Sequence, residues 1–306
     1  MRVLVVGAGV IGLTVGVRLA EAGLDVHVFA RELPLETTSA VAAALWYPYR
    51  ALPHDRVLGW SLRSRAEFAT LADEAPECGV ALRSGTEVLR EVTSDPWWAS
   101  AVPDLTRLLD APAPYRDGWS FTAPVIDMPV YLRWLNRRLE TAGGTLTRMA
   151  LDALPDRAEL VVNCSGLGAR RLAADEDLTP VRGQVVVLEQ VGLDRWTLDG
   201  DEPTYVVPRA HDIVVGGTDD EGDWDRRPDA RTAKRLVQRA ERLVPSLKGA
   251  RVLAHRVGLR PVRSRVRLEA AYLPTGARVI HCYGHGGAGV TVSWGCADEV
   301  LELVGS

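Results

Sequence analysis

The chain opens with Arg2-Val3-Leu4-Val5-Val6, which runs directly into Gly7-Ala8-Gly9-Val10-Ile11-Gly12, and this stretch decides the fold. The β-branched run predicts a strand, the apolar spacing of residues 13–20 predicts a helix, and residues 25–29 predict a second strand. A GxGxxG pattern between a strand and a helix is typical of dinucleotide-binding folds. The alternative, a glycine turn without a ligand, is disfavoured by the flanking strands.

Each glycine of this first turn has a separate task. Gly7 permits the tight turn, Gly9 lets the backbone approach a pyrophosphate, and Gly12 lets the helix pack against the strand. The free N–H groups and the positive dipole end of the helix favour a diphosphate. We therefore expect cofactor contacts along the whole motif, at Gly7, Ala8, Gly9, Val10, Ile11 and Gly12.

The end of the second predicted strand leaves the cofactor open. An acidic residue usually binds the ribose hydroxyls there, whereas this chain has Phe29-Ala30-Arg31-Glu32. Glu32 could serve one or two positions late, or Arg31 could face a phosphate. The motif alone therefore fits either NAD(P) or FAD.

Composition limits the classes of partner. The 306 residues carry a net charge of −4, so neither nucleic acid nor an anionic membrane is an expected partner. The four cysteines are far apart in the chain and form no CxxC pair, so no metal site is expected. With no stretch long enough to span a bilayer, we expect a cytoplasmic protein.

The remaining periodicity predicts alternating helices and strands. A Pro- and Trp-rich stretch at 96–119 is expected to be irregular. Helices are predicted at 57–75, 129–142, 230–243 and 290–303, and strands at 160–164, 184–188, 205–207, 212–215, 256–259 and 279–283.

A second glycine cluster, Tyr283-Gly284-His285-Gly286-Gly287-Ala288-Gly289-Val290-Thr291, lies between the last predicted strand and helix. Such a turn can stabilise the negative charge that develops on a flavin ring during reduction. A nicotinamide cofactor has no need of this second site, so the cluster favours FAD. The predicted contacts are Gly286, Gly287, Ala288, Gly289, Val290 and Thr291.

In these motifs the chain resembles the D-amino acid oxidase family. The matching stretches occur in family order across almost the whole chain, which is more specific than one glycine motif. They are Val3–Gly12, Thr37–Tyr49, Val161–Gly166, Arg182–Gln184, Tyr205–Pro208, Gly216–Thr218, Gly258–Arg263 and Ile280–Ala297.

The resemblance implies an α/β (α+β) architecture with a Rossmann-type FAD-binding domain and an interleaved β-rich substrate domain. The FAD domain would comprise 1–50, 122–176 and 262–306, and the substrate domain 51–121 and 177–261. FAD would be bound non-covalently, with further contacts from Thr37, Thr38, Ser39, Ala43, Ala44, Leu45, Trp46 and Ser165, and from Leu151 beside the adenine.

The resemblance also implies oxidation of a D-amino acid at Cα by hydride transfer to flavin N5. O₂ would be reduced to H₂O₂, and the imino acid would hydrolyse to a 2-oxo acid and ammonia. Arg260, rather than being a surface arginine, would grip the substrate carboxylate with its planar fork. Tyr205 would donate to the same carboxylate, and the Gly287 carbonyl would accept from the amine. His285 is expected to support the flavin loop rather than act as a base.

Some features depart from the family or leave the substrate open. Residues 199–203 lack the aromatic lid of many members, which implies a more open site. Neutral D-amino acids are favoured, but Arg256 or His54 near the pocket would favour D-aspartate or D-glutamate. A glycine or sarcosine oxidase, a dehydrogenase using another acceptor, and a non-catalytic FAD-binding protein remain alternatives. A homodimer is also left open.

Overall fold

A single mixed β-sheet with helices on its faces organises the protein. The structure is a computed structural model that describes residues 1–305. Its α-helices are α1 (Val10–Glu21), α2 (His54–Glu74), α3 (Met128–Thr141), α4 (Ala169–Leu172), α5 (Ala230–Leu243) and α6 (Ser293–Gly305). Its strands are β1 (Arg2–Val6), β2 (Asp25–Ala30), β3 (Val80–Leu89), β4 (Thr106–Arg107), β5 (Asp117–Ile126), β6 (Thr145–Arg148), β7 (Leu160–Asn163), β8 (Thr179–Glu189), β9 (Trp196–Asp199), β10 (Thr204–Pro208), β11 (Asp212–Gly216), β12 (Asp220–Glu221), β13 (Val252–Tyr272) and β14 (Arg278–His285).

One part of the sheet is parallel and has the order β14-β7-β1-β2-β6. The neighbouring strands β1 and β2 are joined through helix α1, as the parallel pairing of consecutive strands requires. All four residues of β7 are buried, and the buried face of α1 packs against α3 and α6. This part is the Rossmann-type half that the first glycine motif predicts.

The other part has the order β4-β5-β3-β9-β10-β11-β8-β13 and is antiparallel except for the β3–β9 pair. Helix α5 covers one face of it, where Leu236 and Ala240 pack against Val186 and Ile213. This is the β-rich half that the resemblance implies, and the predicted fold class is confirmed.

Strand β13 belongs to both parts because it exchanges partners along its length. Its first residues pair with β8 up to Val262 opposite Thr179, and its later residues pair with β14. Helix α2, placed in the predicted substrate segment 51–121, packs against α6 of the Rossmann-type half. The division into two domains at the predicted boundaries stays a prediction.

The predicted helices and strands are all present, and most of their ends shift by a few residues; the strand predicted at 256–259 is much longer, since β13 spans Val252–Tyr272. Strands β3, β5, β6 and β9 were not predicted, since their polar residues and glycines hide the alternation, and neither were the two-residue strands β4, within the stretch 96–119 expected to be irregular, and β12. In β3, a Cβ at Gly85 would lie 2.0 Å from the Trp196 ring, so this glycine is required by close packing. Within residues 1–305 no helix combines the length and apolarity needed to cross a bilayer.

Candidate FAD and substrate site

A cavity of about 810 Å³ lies where the two parts of the sheet meet. Both glycine clusters line it, at the carboxyl ends of β1 and β14, and so do residues of β8, β10 and β13. Ligands of open α/β sheets bind at this edge of the sheet. The cavity therefore has one end built by the parallel half and another built by the antiparallel half.

The first glycine turn has the geometry of a phosphate cradle. Gly7 has φ +114°, and a Cβ at Gly12 would lie 1.9 Å from the Gly7 carbonyl oxygen. Gly9, the residue that precedes α1, has no side chain to cap the helix, and Val10 N–H donates to Ser39 Oγ at 2.9 Å. Because the helix N-terminus faces the cavity with little side-chain shielding, these residues fit the diphosphate of FAD.

The far end of the cofactor half is charged. Glu32 lines the cavity, and its Oε1 accepts from Arg226 at 2.8 Å and from Arg31 at 3.4 Å. Arg226 and Trp224 also line the cavity and precede α5. No sequence motif predicts that these two residues line the cavity, because their loop reaches the end of β2 only in the folded protein.

Most of the other predicted cofactor residues lie in the cavity wall. These are Gly7, Ala8, Gly9, Val10, Ile11, Arg31, Glu32, Thr37, Thr38, Ser39, Leu151, Ser165, Gly286, Gly287, Gly289 and Val290. Their individual contacts with FAD stay predictions.

A second set of predicted residues lies behind the wall. Trp46 is fully buried and donates Nε1–H to the Ser61 carbonyl, while Thr291 Oγ1 bonds both the N–H and the carbonyl of Tyr47. Ala44 has φ +57° and accepts from Ile126 N–H. These positions support the wall; direct FAD contact stays a prediction for all of them, namely Gly12, Ala43, Ala44, Leu45, Trp46, Ala288 and Thr291.

Arg260 lies at the other end of the cavity, with only 18% of its side chain exposed. Its Nη1–H donates to the Thr218 carbonyl at 2.9 Å. A Cβ at Gly183, on the adjacent strand β8, would lie 2.6 Å from Nη1, so glycine leaves the space that the guanidinium fills. The surrounding strands therefore leave a specific space for the Arg260 guanidinium, which is not the environment of a surface arginine.

Tyr205 lies beside Arg260 and lines the same cavity. A Cβ at Gly216 or Gly217 would lie 2.4 or 2.7 Å from the tyrosine hydroxyl oxygen, so both glycines make room for the ring. Burial raises the pKa of Tyr205, although the Arg260 charge opposes the effect. The hydroxyl therefore stays protonated and can donate a hydrogen bond.

Three further residues near Arg260 were not predicted from the sequence as part of the site. Tyr49 donates its hydroxyl to Asp219 Oδ2 at 2.9 Å, and Arg50 pairs with the same oxygen at 2.6 Å. Oδ1 of Asp219 is buried without a hydrogen-bond partner among the described residues and lies 3.6 Å from Arg260 Nη1. Arg50 also pairs with Glu221 at 2.7 Å. The charges beside Arg260 are thus largely compensated.

The second glycine turn is shaped by contacts with Tyr49 and Arg50. Gly286 has φ +56°, and a Cβ there would lie 2.0 Å from the Arg50 carbonyl oxygen. A Cβ at Gly287 would lie 2.6 Å from Tyr49 Cδ1. Only glycine satisfies these contacts, so the turn brings backbone groups to the cavity wall next to the aromatic ring of Tyr49.

Neither cation that would have favoured an acidic substrate reaches the cavity. Arg256 is exposed on β13, and His54 stacks on Trp97 with ring centroids 4.1 Å apart. Residues 200–203 form the turn between β9 and β10, anchored by Asp199, which binds Arg90 and the Tyr115 hydroxyl. This short, tethered turn agrees with the absence of an aromatic lid.

Two cysteines from separate elements lie next to His285. All four cysteines are free and buried; Cys282 and Cys296 lie next to His285, and the Cys164 thiol forms a hydrogen bond with the Cys282 thiol. Hydrogen bonds from the Cys164 and Cys296 thiols lower the pKa of Cys282. His285 thus has a packed, interior environment, and its support of the flavin loop stays a prediction.

The chain is similar in sequence to known proteins over almost their full length. The family model of FAD-dependent oxidoreductases matches residues 2–303. A D-amino-acid oxidase of Rubrobacter xylanophilus is 49% identical over 314 aligned residues, covering 100% of this chain and 96% of that protein. Human D-aspartate oxidase is 36% identical, covering 99% of this chain and 94% of that protein.

A solved structure shows the same fold at lower sequence identity. Glycine oxidase from Geobacillus kaustophilus superposes with a TM-score of 0.85 at 22% identity, covering 99% of this chain and 95% of that one. At this identity the likeness concerns the fold alone. This likeness in fold agrees with the two glycine turns and with the full-length sequence matches. The chain belongs to the D-amino acid oxidase family of FAD-dependent oxidoreductases, and its cofactor is FAD.

Proposed function

We propose that the protein is a D-amino-acid oxidase, which converts a D-amino acid, O₂ and water to a 2-oxo acid, ammonia and H₂O₂. When bound, FAD supplies the acceptor for the hydride from Cα and passes the electrons to O₂. The names and full-length coverage of the curated relatives support this proposal.

The observation that carries the proposal is the placement of Arg260. Its guanidinium is in the wall of the cavity that contains both glycine turns, in space that Gly183 leaves free. Arg260 would bind the substrate carboxylate in a bidentate manner, displacing its contact with the Thr218 carbonyl. A protein that merely stores FAD needs no such arginine.

Tyr205 and Gly287 would complete the orientation of the substrate. The protonated Tyr205 hydroxyl donates to the carboxylate, and the Gly287 carbonyl accepts from the amine. With three points fixed, the Cα–H bond has one direction, and orientation of this kind contributes strongly to rate. The residues position the substrate; no strong base is required once the ammonium has lost its proton.

We further propose that the preferred substrates have neutral side chains. Near Arg260, the Arg50 charge is paired with Asp219 and Glu221, so no uncompensated cation is available for a second carboxylate. The second candidate is oxidation of D-aspartate, which the name of the human relative suggests. Arg50 would then have to leave Asp219 to bind the side chain.

Anaerobic mixing of the yellow protein with single amino acids tests the function. We expect D-alanine and other neutral D-amino acids to bleach the flavin, L-amino acids to leave it oxidised, and air to restore the colour rapidly with release of H₂O₂. Faster bleaching by D-aspartate would favour the second candidate. A preference for sarcosine, or slow reoxidation by air, would contradict the proposal.

We also propose that the partners are small molecules, namely the D-amino acid and O₂, and that the protein is a cytoplasmic enzyme without a bound nucleic acid. A homodimer is to be tested by sedimentation of the FAD-loaded protein.

A further inference from the structure

Three thiols and one imidazole meet in the interior beside the FAD cavity. Cys282 Sγ lies 3.8 Å and Cys296 Sγ 3.7 Å from His285 Nε2, and these three atoms are within 4.8 Å of one another. The Cys164 thiol lies next to this group of three, since it forms a hydrogen bond with the Cys282 thiol. We call these four residues the thiol cluster. None of them has a role in the proposed oxidation of substrate.

The distances from His285 Nε2 to the sulfurs of Cys282 and Cys296 are close to those of two edges of a tetrahedral metal site. With metal–sulfur bonds of about 2.3 Å and metal–nitrogen bonds of about 2.0–2.1 Å, sulfur and nitrogen at two corners lie roughly 3.6 Å apart. The two observed sulfur–nitrogen distances are 3.8 and 3.7 Å. A cation could therefore bind between these atoms after only a small contraction of the site.

The chemistry of the cluster selects the kind of cation. The four residues are at most 7% exposed, so a bound ion would lose its water and depend on the side chains. Thiolate and imidazole donors prefer zinc-type, thiophilic ions, whereas Mg²⁺, Ca²⁺ and Mn²⁺ prefer oxygen. Thiol–imidazole contacts near 3.8 Å are weak hydrogen bonds, so little stabilisation is lost when the cation replaces them.

We infer that Cys164, Cys282, Cys296 and His285 form a binding site for one thiophilic d¹⁰ cation, with Zn²⁺ as the physiological ion. Binding would release the thiol protons to solvent. The site would join the end of β7, strand β14 and helix α6, three segments that are separate in the chain. Because Cys164, Cys282 and His285 also line the FAD cavity, the ion would stiffen the cavity wall.

Titration of FAD-loaded, chelator-treated protein with Cd²⁺ tests the site. We expect one bound ion per chain by mass spectrometry of the metal, a thiolate-to-cadmium charge-transfer band, and loss of that band when Zn²⁺ is added in excess. Cys282→Ser and Cys296→Ser should lose the band. Cys78→Ser is the matched control, since Cys78 is equally buried but lies outside the cluster, and it should keep the band.

Two results would overturn the inference: no band in the unaltered protein, or equal bands in the Cys282→Ser and Cys296→Ser variants. Alkylation of the unaltered protein during mild heating gives a test that needs no variant. Zn²⁺ should slow labelling of Cys164, Cys282 and Cys296 relative to a chelator, while labelling of Cys78 stays unchanged. Equal labelling of all four cysteines with and without Zn²⁺ would contradict the site. Neither experiment depends on which amino acid is oxidised.

Discussion

The two ends of the cavity are built in different ways. At the cofactor end, one continuous segment from β1 through α1 supplies backbone N–H groups and a helix dipole. At the substrate end, side chains from β10 and β13 line the cavity, and Tyr49 from the segment before α2 donates to Asp219 beside Arg260. A site made of backbone groups can therefore be located from a local sequence motif. A site made of side chains cannot, because its composition depends on how distant strands pair.

The largest effect is expected from a methyl group at the cofactor end. Gly12→Ala places Cβ 1.9 Å from the Gly7 carbonyl oxygen, a backbone atom that cannot yield without opening the turn. We expect colourless protein with no measurable FAD binding in flavin titrations. Gly59→Ala in α2 is the control, because nothing lies within 4 Å of its Cβ; it should stay yellow and gain up to about 1 kcal/mol in stability. A yellow Gly12→Ala protein would show that the cradle is not rigid.

At the substrate end, removal of one charge should strongly lower kcat/KM and leave FAD bound. For Arg260→Leu we expect kcat/KM for D-alanine to fall about a thousandfold, as for loss of one partner of a buried ion pair. The flavin spectrum should remain that of the FAD-loaded protein. Arg256→Leu, an exposed arginine on the same strand, should retain the native rate. Similar kinetics for the two variants would contradict the assignment of Arg260.

The antiparallel half also contains a buried carboxyl group that makes stability depend on pH. Burial raises the pKa of Glu87 to about 7 from 4.5, although the Tyr47 hydroxyl donates to it at 2.8 Å. Between these values the folded protein binds more protons than the unfolded chain, so stability falls as pH rises, by up to about 3 kcal/mol.

Glu87→Gln should remove this loss, since a neutral amide can still accept from Tyr47. Urea unfolding at saturating FAD, measured at pH 5 and pH 8, provides the comparison with the native protein. Glu91→Gln, with 79% of its side chain exposed, should keep the native pH dependence. An unchanged slope in Glu87→Gln would mean that Glu87 titrates normally.

The smallest effect is expected for the tyrosine hydroxyl beside Arg260. Tyr205→Phe removes one hydrogen bond to the substrate carboxylate, which corresponds to about 1.5 kcal/mol or roughly a tenfold higher KM. Packing of the ring against Gly216 and Gly217 is retained. Tyr272→Phe serves as the control because Tyr272 is exposed. Steady-state peroxide release measures both, and equal KM values would remove Tyr205 from the substrate site.

Much of the architecture could be predicted from local patterns. The strand, glycine turn and helix of residues 2–21 follow from neighbouring residues, and so do α3 and α5 with their amphipathic spacing. Strands β3 and β9 could not be predicted, because their pairing depends on the Trp196 ring lying over Gly85. That contact joins positions more than a hundred residues apart in the sequence, and the periodicity of hydrophobic residues gives no sign of it.

The amino-acid sequence by itself determined the cofactor class and the family, since the two glycine turns act through backbone within short continuous segments. The tertiary structure alone decided which side chains share a site. Asp219, which pairs with Tyr49 and Arg50, lies beside Arg260 of β13, and Cys296 of α6 lies next to His285 and Cys282 of β14. The physical reason is that backbone geometry is encoded by neighbouring residues, whereas contacts between side chains are set by strand pairing.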